Sequence, residues 1–257
     1  MLKEEVKFVD SCVFEGMTSI RAILRSIDDN VSDRKIRKIL FDADKMKKIS
    51  KEVGYLKAVS EKYDFSVEVS NAESIALHTI GNSHGGIVAL CTERTIPSLH
   101  PDIALPDRGF FVMIQGIEDP YNFGYSLRSL YACGCDGVIL PERNWMSAAG
   151  VVARSSAGAS ERFPMYTADA LYAAEFFKKH GYTVVCADEK TDNILGKCDL
   201  KLPVFLIVGG EKRGISGALM QMADIIVKIP YAREFSASLS AASATTMLAY
   251  EIARQNY

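Results

Sequence analysis

Two stretches in the second half of the chain place polar residues and glycines directly after apolar segments that read as β-strands. Asn122, Gly124 and Arg128 follow the first of these segments, and the run Gly209–Glu211 follows a later one. Glycine lets a ligand approach the backbone closely, and a guanidinium can bind a phosphate through two parallel hydrogen bonds. These residue types are typical of a ligand site that combines exposed main-chain groups with a phosphate contact.

A third stretch begins where another predicted strand ends, at Ile229 and Pro230. A polar loop follows and leads to Ser238, Leu239 and Ser240 at the start of the last predicted helix. The three stretches share one feature, because each of them lies at the end of a strand.

Each stretch by itself also has a purely structural explanation. Arg128 fits the polar face of an amphipathic surface helix. The run Gly209–Glu211 fits an ordinary strand-to-helix turn with an acidic residue in the first helical turn. Ser238 or Ser240 fits a helix N-cap. The stretches therefore indicate a site only when they are taken together.

Spacing argues against several other kinds of site. The segment after Val208 lacks the Gly-Lys-Ser/Thr ending of a phosphate loop, and no Gly-x-Gly-x-x-Gly follows any predicted strand, which disfavours a nucleotide-dependent dehydrogenase. The six cysteines and four histidines are scattered without metal-ligand spacing, so we expect no metal site. Cys133 and Cys135 read as two small buried side chains near a helix end.

Apolar strands alternate with helices through the second half, which predicts a parallel sheet covered by helices on both faces. In open α/β sheets, ligands bind beyond the carboxyl ends of the strands, where the three stretches lie. The predicted strands span residues 110–117, 137–140, 182–186, 204–208 and 225–229, and the predicted helices span residues 125–133, 169–180 and 238–255.

A segment with three prolines, residues 95–107, has neither a helical nor a strand period and is predicted to be a linker between two domains. Residues 108–257 form the larger, parallel-sheet domain. Residues 1–94 form a small α/β domain. Its predicted strands span residues 8–14, 38–41, 65–69 and 85–91, and its predicted helices span residues 18–26 and 45–62, with a short helix after the capping-box spacing at residues 70–73.

The charge balance and the apolar pattern exclude further classes of protein. The 257 residues include 30 basic and 32 acidic side chains, which excludes a uniformly basic nucleic-acid binder but not a local basic face. Residues 34–62 form such a local excess, with ten Lys or Arg against four acidic residues. The longest apolar stretch is too short to span a bilayer, and the N-terminus does not read as a signal peptide. We therefore expect a soluble cytoplasmic protein.

Three motifs occur in a fixed order along the second half: Asn122-x-Gly124-x-x-x-Arg128, then Gly209-Gly210-Glu211-x-x-Gly214, then Ile229-Pro230 followed by Ser238-Leu239. In this order they resemble the SpoU/TrmH family of RNA ribose 2′-O-methyltransferases, within the SPOUT superfamily. The resemblance covers roughly residues 108–257. The first half resembles the family's RNA-binding extension of ribosomal protein L30e type, through Val13-Phe-Glu-Gly16 and His84-Gly-Gly-Ile-Val-Ala89.

The resemblance implies a parallel sheet with a trefoil knot, a homodimer, and S-adenosylmethionine (SAM) as the methyl donor. The donor is then expected against Gly209, Gly210, Ile229, Pro230 and Leu239, largely through backbone groups. Because the donor is already activated, the reaction needs no metal. The implied partner is structured RNA, with ribosomal RNA favoured over transfer RNA.

The resemblance also assigns roles to four polar residues. Arg128 matches the catalytic arginine of the family, and a positive group beside the phosphate would position the ribose and stabilise charge on its oxygen. Asn122 and Glu211 match positions that support the site. The third motif of the family ends in asparagine, whereas this chain has Ser240. An alternative reading, a non-catalytic RNA-binding relative with the same fold, rests on that difference alone.

Overall fold

A computed structural model describes residues 12–79, 84–142, 144–210 and 214–257. Contacts divide the chain into two compact units. The first unit contains the described residues up to Thr95 together with Trp145–Arg162, and the second contains Ile96–Asn144 and Phe163–Tyr257. No helix in the described parts of the chain is long and apolar enough to cross a membrane.

The first unit is a mixed α/β structure built on a four-stranded sheet with the order β1-β4-β2-β3. Strands β2 and β3 run parallel, while β4 runs antiparallel to both β1 and β2. The part of the predicted strand before residue 12 lies outside the described residues. Numbered along the chain, the elements of this unit are β1 (Val13–Glu15), α1 (Gly16–Asp28), β2 (Ile36–Asp42), α2 (Ser50–Tyr63), β3 (Ser66–Ser70), α3 (Ala72–Ala76), β4 (Ile87–Cys91) and α5 (Ala149–Ser155).

Local side-chain chemistry explains where two of these helices begin and end. The predicted helix 45–62 starts only at Ser50, after a short 3-10 turn, and ends where Asp64 adopts a left-handed conformation with φ 53°. Helix α3 is capped by Asn71, whose side chain accepts a hydrogen bond from the amide of Ser74 at 2.8 Å. The capping-box spacing located this helix correctly, but the cap is Asn71 and not Ser70.

The structure groups the segment Trp145–Arg162 with the first unit, although the sequence placed these residues in the second domain. Helix α5 contributes Ala149 and Ala153 to the core of that unit, which also contains Phe14 and Ile23. Small residues suit this contact, because a Cβ atom on Gly150 would lie 2.0 Å from the backbone oxygen of Val13.

A buried ion pair joins the segment Trp145–Arg162 to the rest of the first unit. The guanidinium of Arg34 donates to Glu161 at 2.9 Å, and both side chains are almost fully buried. Arg34 also donates to the backbone oxygen of Thr92 at 2.8 Å. Arg34 therefore lies in the interior of the first unit and does not belong to the basic surface on which the sequence placed it.

The second unit contains the predicted parallel sheet, with six parallel strands in the order β10-β8-β9-β5-β6-β7. The predicted α/β class is confirmed for this part of the chain. Strand β7 and helix α7 were not predicted, since each is very short. The elements are β5 (Phe110–Ile114), α4 (Pro120–Ala132), β6 (Gly137–Leu140), β7 (Met165–Thr167), α6 (Ala170–Lys179), β8 (Thr183–Ala187), β9 (Val204–Val208), α7 (Gly217–Met222), β10 (Ile225–Val227) and α8 (Ala241–Asn256).

Apolar side chains of α6 and the central strands form the core of the second unit. The rings of Phe177 and Phe205 stack with centroids 4.2 Å apart, and Phe111 packs 5.0 Å from Phe177. Strands β5 and β9 are buried at every residue, as expected for strands with helices on both faces.

The predicted linker is partly ordered against the sheet. The amide of Leu99 donates to the backbone oxygen of Thr167 at 2.9 Å, and the amide of Thr167 donates to Pro97 at 2.9 Å. Leu99 is 5% exposed and packs in the core of the second unit. This segment covers the outer edge of β7, which explains why a proline-rich stretch lies beside a short edge strand.

Candidate functional site

The carboxyl ends of β5 and β9 form the topological switch point of the sheet. The chain leaves β5 toward β6 on one side, and it leaves β9 toward β10 on the other. Loops diverge at such a point and open a crevice that ligands occupy in α/β sheets. The glycines predicted from the sequence lie at this edge.

Backbone atoms of the two exit loops meet here. The amide of Gln115 donates to the backbone oxygen of Val208 at 2.9 Å. A Cβ atom on Gly210 would lie 2.5 Å from the oxygen of Gly116 and 2.7 Å from the oxygen of Gln115. Gly116 itself has φ +57°, which favours glycine. We name this contact between Gln115–Gly116 and Gly210 the glycine junction.

Gly209 lies in an equally tight turn. Its Cβ would lie 2.8 Å from the backbone carbon of Gly214, and the amide of Gly214 donates to the oxygen of Gly210 at 3.1 Å. Glu211 lies outside the described residues, so its predicted role in supporting the site stays a prediction. The backbone conformation at this strand end therefore requires small residues, as the sequence indicated.

Helix α4 begins earlier than predicted. Asp119 caps it by accepting a hydrogen bond from the amide of Tyr121 at 3.0 Å, and Pro120 occupies the first turn. Asn122 and Gly124 therefore lie inside the helix, although the predicted helix begins only at residue 125. Arg128 lies more than two turns from the helix start, a rise of roughly 12 Å, because the helix begins five residues before the predicted start at residue 125.

The two polar residues of α4 point in different directions. At 3.6 residues per turn, Asn122 and Arg128 are separated by about 120° around the helix. Arg128 is exposed and shares its face with Tyr121 and Tyr125, which are 43% and 50% exposed. The next residue, Ser129, has its hydroxyl 2.7 Å from that of Thr246 on α8. Arg128 thus lies on the outer face of α4, next to the face that packs on α8.

Ile229 and Pro230 follow β10, as predicted, and the preceding backbone is held by a neighbouring loop. The amide of Lys228 donates to the oxygen of Asn193, and the amide of Leu195 donates to the oxygen of Lys228, both at 2.9 Å. Ile229 is half-buried and Pro230 is exposed. Strand β8 lies between β10 and β9, so these residues are one strand removed from the glycine junction.

The loop between β10 and α8 exposes two aromatic rings. Tyr231 and Phe235 are 44% and 60% exposed, with ring centroids 6.0 Å apart. The hydroxyl of Tyr231 accepts a hydrogen bond from the amide of Leu239 at 3.2 Å. This bond fixes the predicted cofactor residue Leu239 relative to the start of the loop.

Ser240 is the N-cap of α8. Its hydroxyl accepts a hydrogen bond from the amide of Ser243 at 3.2 Å and lies 3.1 Å from the Ser243 hydroxyl. The capping explanation is therefore confirmed for Ser240, and the hydroxyl is already engaged within the helix end.

Replacing Ser240 by alanine is expected to lower the free energy of unfolding by about 0.5–2 kcal/mol, because the amide of Ser243 loses its acceptor. Thermal melting measures this loss, and single-turnover methylation per folded molecule measures any catalytic role. Ser240→Asn keeps a good cap and serves as the matched variant. A single-turnover rate that falls in Ser240→Ala and rises above wild type in Ser240→Asn, at a melting temperature equal to that of wild type, would assign Ser240 a role beyond capping.

The thiols are structural. Cys135 is buried, and burial raises the pKa of its thiol above the usual range. Burial also raises the pKa of Cys186 on β8 to about 12. Both therefore stay protonated at neutral pH and are poor nucleophiles or metal ligands. In the described parts of the chain, no group of three or more His, Cys, Asp or Glu side chains is arranged to hold a metal ion.

Sequence reasoning missed two residues of this edge. Gln115 and Gly116 lie within a stretch that was predicted to continue the strand to residue 117, but β5 ends at Ile114. The Gln-Gly pair directly after five buried apolar residues was the available signal, since glycine often marks a strand end or a close backbone approach.

The arrangement can be compared with known proteins. The model of the SpoU rRNA Methylase family matches residues 109–250. A Staphylococcus haemolyticus protein named as a TrmH family tRNA/rRNA methyltransferase is 33% identical over 149 residues, which cover 57% of this chain and 59% of that protein. The Shewanella oneidensis protein named 23S rRNA (guanosine-2′-O-)-methyltransferase RlmB is 28% identical over 200 residues, which cover 76% of this chain and 81% of that protein.

Among solved structures, the SpoU methyltransferase AviRb from Streptomyces viridochromogenes, in complex with the cofactor AdoMet, superposes with a TM-score of 0.75 at 21% identity, covering 95% of this chain and 89% of that one. At this identity the likeness shows a shared fold. The first curated relatives are matched over only 59–60% of their own length. Since the family model covers more than half of the chain and includes its three motifs, the chain belongs to the SpoU rRNA Methylase family.

Proposed function

We propose that the protein transfers a methyl group from SAM to a ribose 2′-hydroxyl of structured RNA, with ribosomal RNA favoured over transfer RNA. The observation that carries this proposal is the glycine junction at the switch point, within the segment that matches the family. The activity for which the Shewanella relative is named and the AdoMet bound to AviRb support it.

The chain's own residues fit an adenosyl ligand at this edge. The turn at Gly209 and Gly210 has no room for a Cβ atom, so main-chain N–H and C=O groups line the edge. Such groups can read an adenine edge, while Ile229 and Leu239 supply apolar contact and Pro230 holds the exit of the strand. When bound, SAM supplies an activated methyl group.

The RNA side of the reaction is assigned to α4. Arg128 has an exposed guanidinium and binds the phosphate next to the target ribose, which aligns the hydroxyl and stabilises charge developing on its oxygen. Asn122 and Glu211 support the site, and Ser240 holds the start of α8. The position of Arg128 on the outer face suits contact with RNA lying over the helix.

The trefoil knot and the L30e-type first domain are part of the same proposal. The trefoil knot is proposed from the family resemblance. The end of α8 contacts the segment before β9, where Gln255 and Asn256 hydrogen-bond to the backbone of Cys198, Leu200 and Leu202. An L30e-type first domain is supported by its mixed sheet with a helix directly after β1. The cytoplasmic location stays a prediction.

The first unit supplies a basic surface for RNA. Arg34 is buried, and Lys38, Lys45 and Lys62 pair with acidic side chains. Exposed cations remain on β2, α2 and the segments that precede them, and they would add a salt-dependent term to RNA affinity. These cations are Lys35, Arg37, Lys47, Lys48, Lys51 and Lys57.

SAM is expected to bind the protein in the presence of a chelator, because the proposed site uses backbone and apolar groups. Isothermal titration calorimetry with SAM and EDTA measures this. Binding that disappears on chelation would contradict a metal-free site, and absence of binding at any metal content would contradict the methyl-transfer proposal.

One observation supports the alternative of a non-catalytic RNA-binding relative. The Ser240 hydroxyl already accepts a hydrogen bond as the N-cap of α8. Labelled SAM separates the two readings. Transfer of label to RNA extracted from source cells that lack this gene, in which the target ribose is still unmethylated, supports an enzyme. SAM binding without transfer to any fraction of that RNA supports the non-catalytic relative.

A homodimer is expected, and its interface is proposed on α8. This helix packs on α4 and carries the side chains of Met247 and Tyr250, which are 42% and 63% exposed. Light scattering should give twice the chain mass of 28.3 kDa. Tyr250→Asp should lower this mass, while Leu171→Asp on α6 should not. A wild-type mass of one chain at micromolar concentration would contradict the dimer.

A further inference from the structure

One face of α4 presents two aromatic rings and a guanidinium to solvent in a row. Tyr121, Tyr125 and Arg128 occupy positions i, i+4 and i+7, which are neighbours along one side of a helix. All three are exposed, whereas Phe123 and Leu130 on the opposite side of α4 are buried. We name the row formed by Tyr121, Tyr125 and Arg128 the tyrosine stripe.

Both tyrosine rings of the stripe have free faces. Among the described residues, neither ring packs against another aromatic ring, and neither hydroxyl takes part in a hydrogen bond. Tyr131 on the same helix differs, because its ring packs edge-on against Phe163 with centroids 5.3 Å apart. A planar partner can therefore stack on Tyr121 or Tyr125 without displacing a side chain.

The stripe begins at the carboxyl edge of the sheet. Helix α4 follows the exit of β5, so Tyr121 in its first turn lies nearest to that edge. Arg128 lies seven residues further along, a rise of about 10 Å. This length matches about three stacked nucleotides at 3.4 Å each. A strand whose phosphate is held by Arg128 and which continues to the edge therefore passes over both rings.

The charge of the stripe suits a polyanion. Arg128 is the only charged residue of α4, so the helix itself contributes one positive charge and no carboxylate. Asp119, just before the helix, is engaged as its N-cap. Aromatic rings beside a cation are typical of surfaces that bind unpaired nucleic acid, because bases stack on the rings while the cation contacts the backbone. Base-paired RNA does not offer its base faces in this way, since they are stacked inside the duplex.

We propose that the tyrosine stripe binds an unpaired RNA segment next to the methylated ribose, with a base stacked on each tyrosine and a phosphate on Arg128; the inference rests on the proposed function. The target nucleotide then lies in a loop or another single-stranded stretch and not inside a duplex. Because every base has a face that stacks, the stripe selects unpaired RNA without selecting a sequence.

Fluorescence anisotropy on the full chain tests this assignment, with a labelled oligoadenylate as the single strand and the same strand annealed to oligouridylate as the duplex. Tyr125→Ala should weaken single-strand binding at least about fivefold, and Tyr121→Ala/Tyr125→Ala should weaken it further. Neither variant should change the affinity for the duplex. Tyr125→Phe should bind both probes like wild type, because the ring remains.

The salt dependence of single-strand affinity separates stacking from charge. The tyrosine variants remove no charge, so the slope of log affinity against log salt concentration should equal that of wild type. Arg128→Ala should lower the magnitude of this slope by about 0.7, the value for one phosphate contact on a single strand.

The matched control is Tyr257→Ala, which removes a ring that is 81% exposed at the far end of α8. It should leave both affinities unchanged. A single-strand affinity that survives in Tyr121→Ala/Tyr125→Ala, or a loss that is equal for the duplex, would overturn the assignment. A fall of the particle mass in this double variant, measured by light scattering, would also overturn it, because the stripe would then contact a second copy of the chain.

Titration of SAM into the same samples tests the proposed function separately. Tyrosine-dependent binding of the single strand by a protein that does not bind SAM would contradict methyl transfer and leave the stripe in place. SAM binding and methyl transfer together with wild-type RNA affinity in the double variant would contradict the stripe alone.

Discussion

Replacing Arg128 by alanine is expected to lower the rate of methyl transfer by a factor of about 10²–10³ while SAM affinity stays within about twofold of wild type. Removing one preorganised charged donor from a reacting oxyanion typically has an effect of that size. SAM affinity should persist because Arg128 lies on the outer face of α4, more than two turns from the helix start, and not in the glycine junction. Single-turnover rates and calorimetry measure the two quantities.

Two further variants make the Arg128 result interpretable. Arg108→Ala removes an exposed arginine of the same unit that precedes β5 at its amino end, and it should leave the rate unchanged. Arg128→Lys keeps the charge but loses bidentate geometry and should recover only part of the rate. An Arg128→Ala protein that turns over normally would remove Arg128 from the reaction, and one that loses SAM would place it in the cofactor site.

Replacing Gly210 by alanine is expected to lower the free energy of unfolding by about 1–3 kcal/mol, the usual cost of overpacking. It should also lower SAM affinity more than tenfold. The added Cβ would lie 2.5–2.7 Å from backbone atoms of Gln115 and Gly116, and backbone cannot rotate away as a side chain can. The loops after β5 and β9 would then separate. Thermal melting and calorimetry measure the two effects.

Gly217→Ala is the matched control, because a Cβ at that position meets no atom within 4 Å and Gly217 begins α7. Alanine there should be neutral or slightly stabilising. If Gly210→Ala binds SAM as tightly as Gly217→Ala does, the donor does not use the glycine junction. The close packing of the turn at Gly209 and Gly210 would then not contribute to SAM binding.

The amino-acid sequence by itself determined the elements with strong local signals. The strands β6 and β9 begin and end at the predicted residues, because a short apolar run bounded by polar residues is a local pattern. The glycines at 209 and 210 were also evident, since their need for close backbone approach is tied to the strand end that precedes them. The family motifs pointed to the same edge.

Those local patterns could not predict contacts between side chains that are far apart in the chain. Arg34 read as part of a basic run, but its partner Glu161 is 127 residues away and brings the charge into the interior. The predicted helix began at residue 125, but Asp119 and Pro120 start α4 before Asn122. A capping signal three residues upstream outweighed the preference of asparagine and glycine for turns.

Only the tertiary structure decided how the strands are ordered and which surfaces they leave open. The sequence predicted parallel strands, but the order β10-β8-β9-β5-β6-β7 depends on which strands pair, and that is set by packing across the whole sheet. This order brings Gln115 against Gly210 and opens a cavity beside it. It also separates Ile229 from Gly209 by one strand, because pairing between strands is long-range and leaves no periodic trace in the chain.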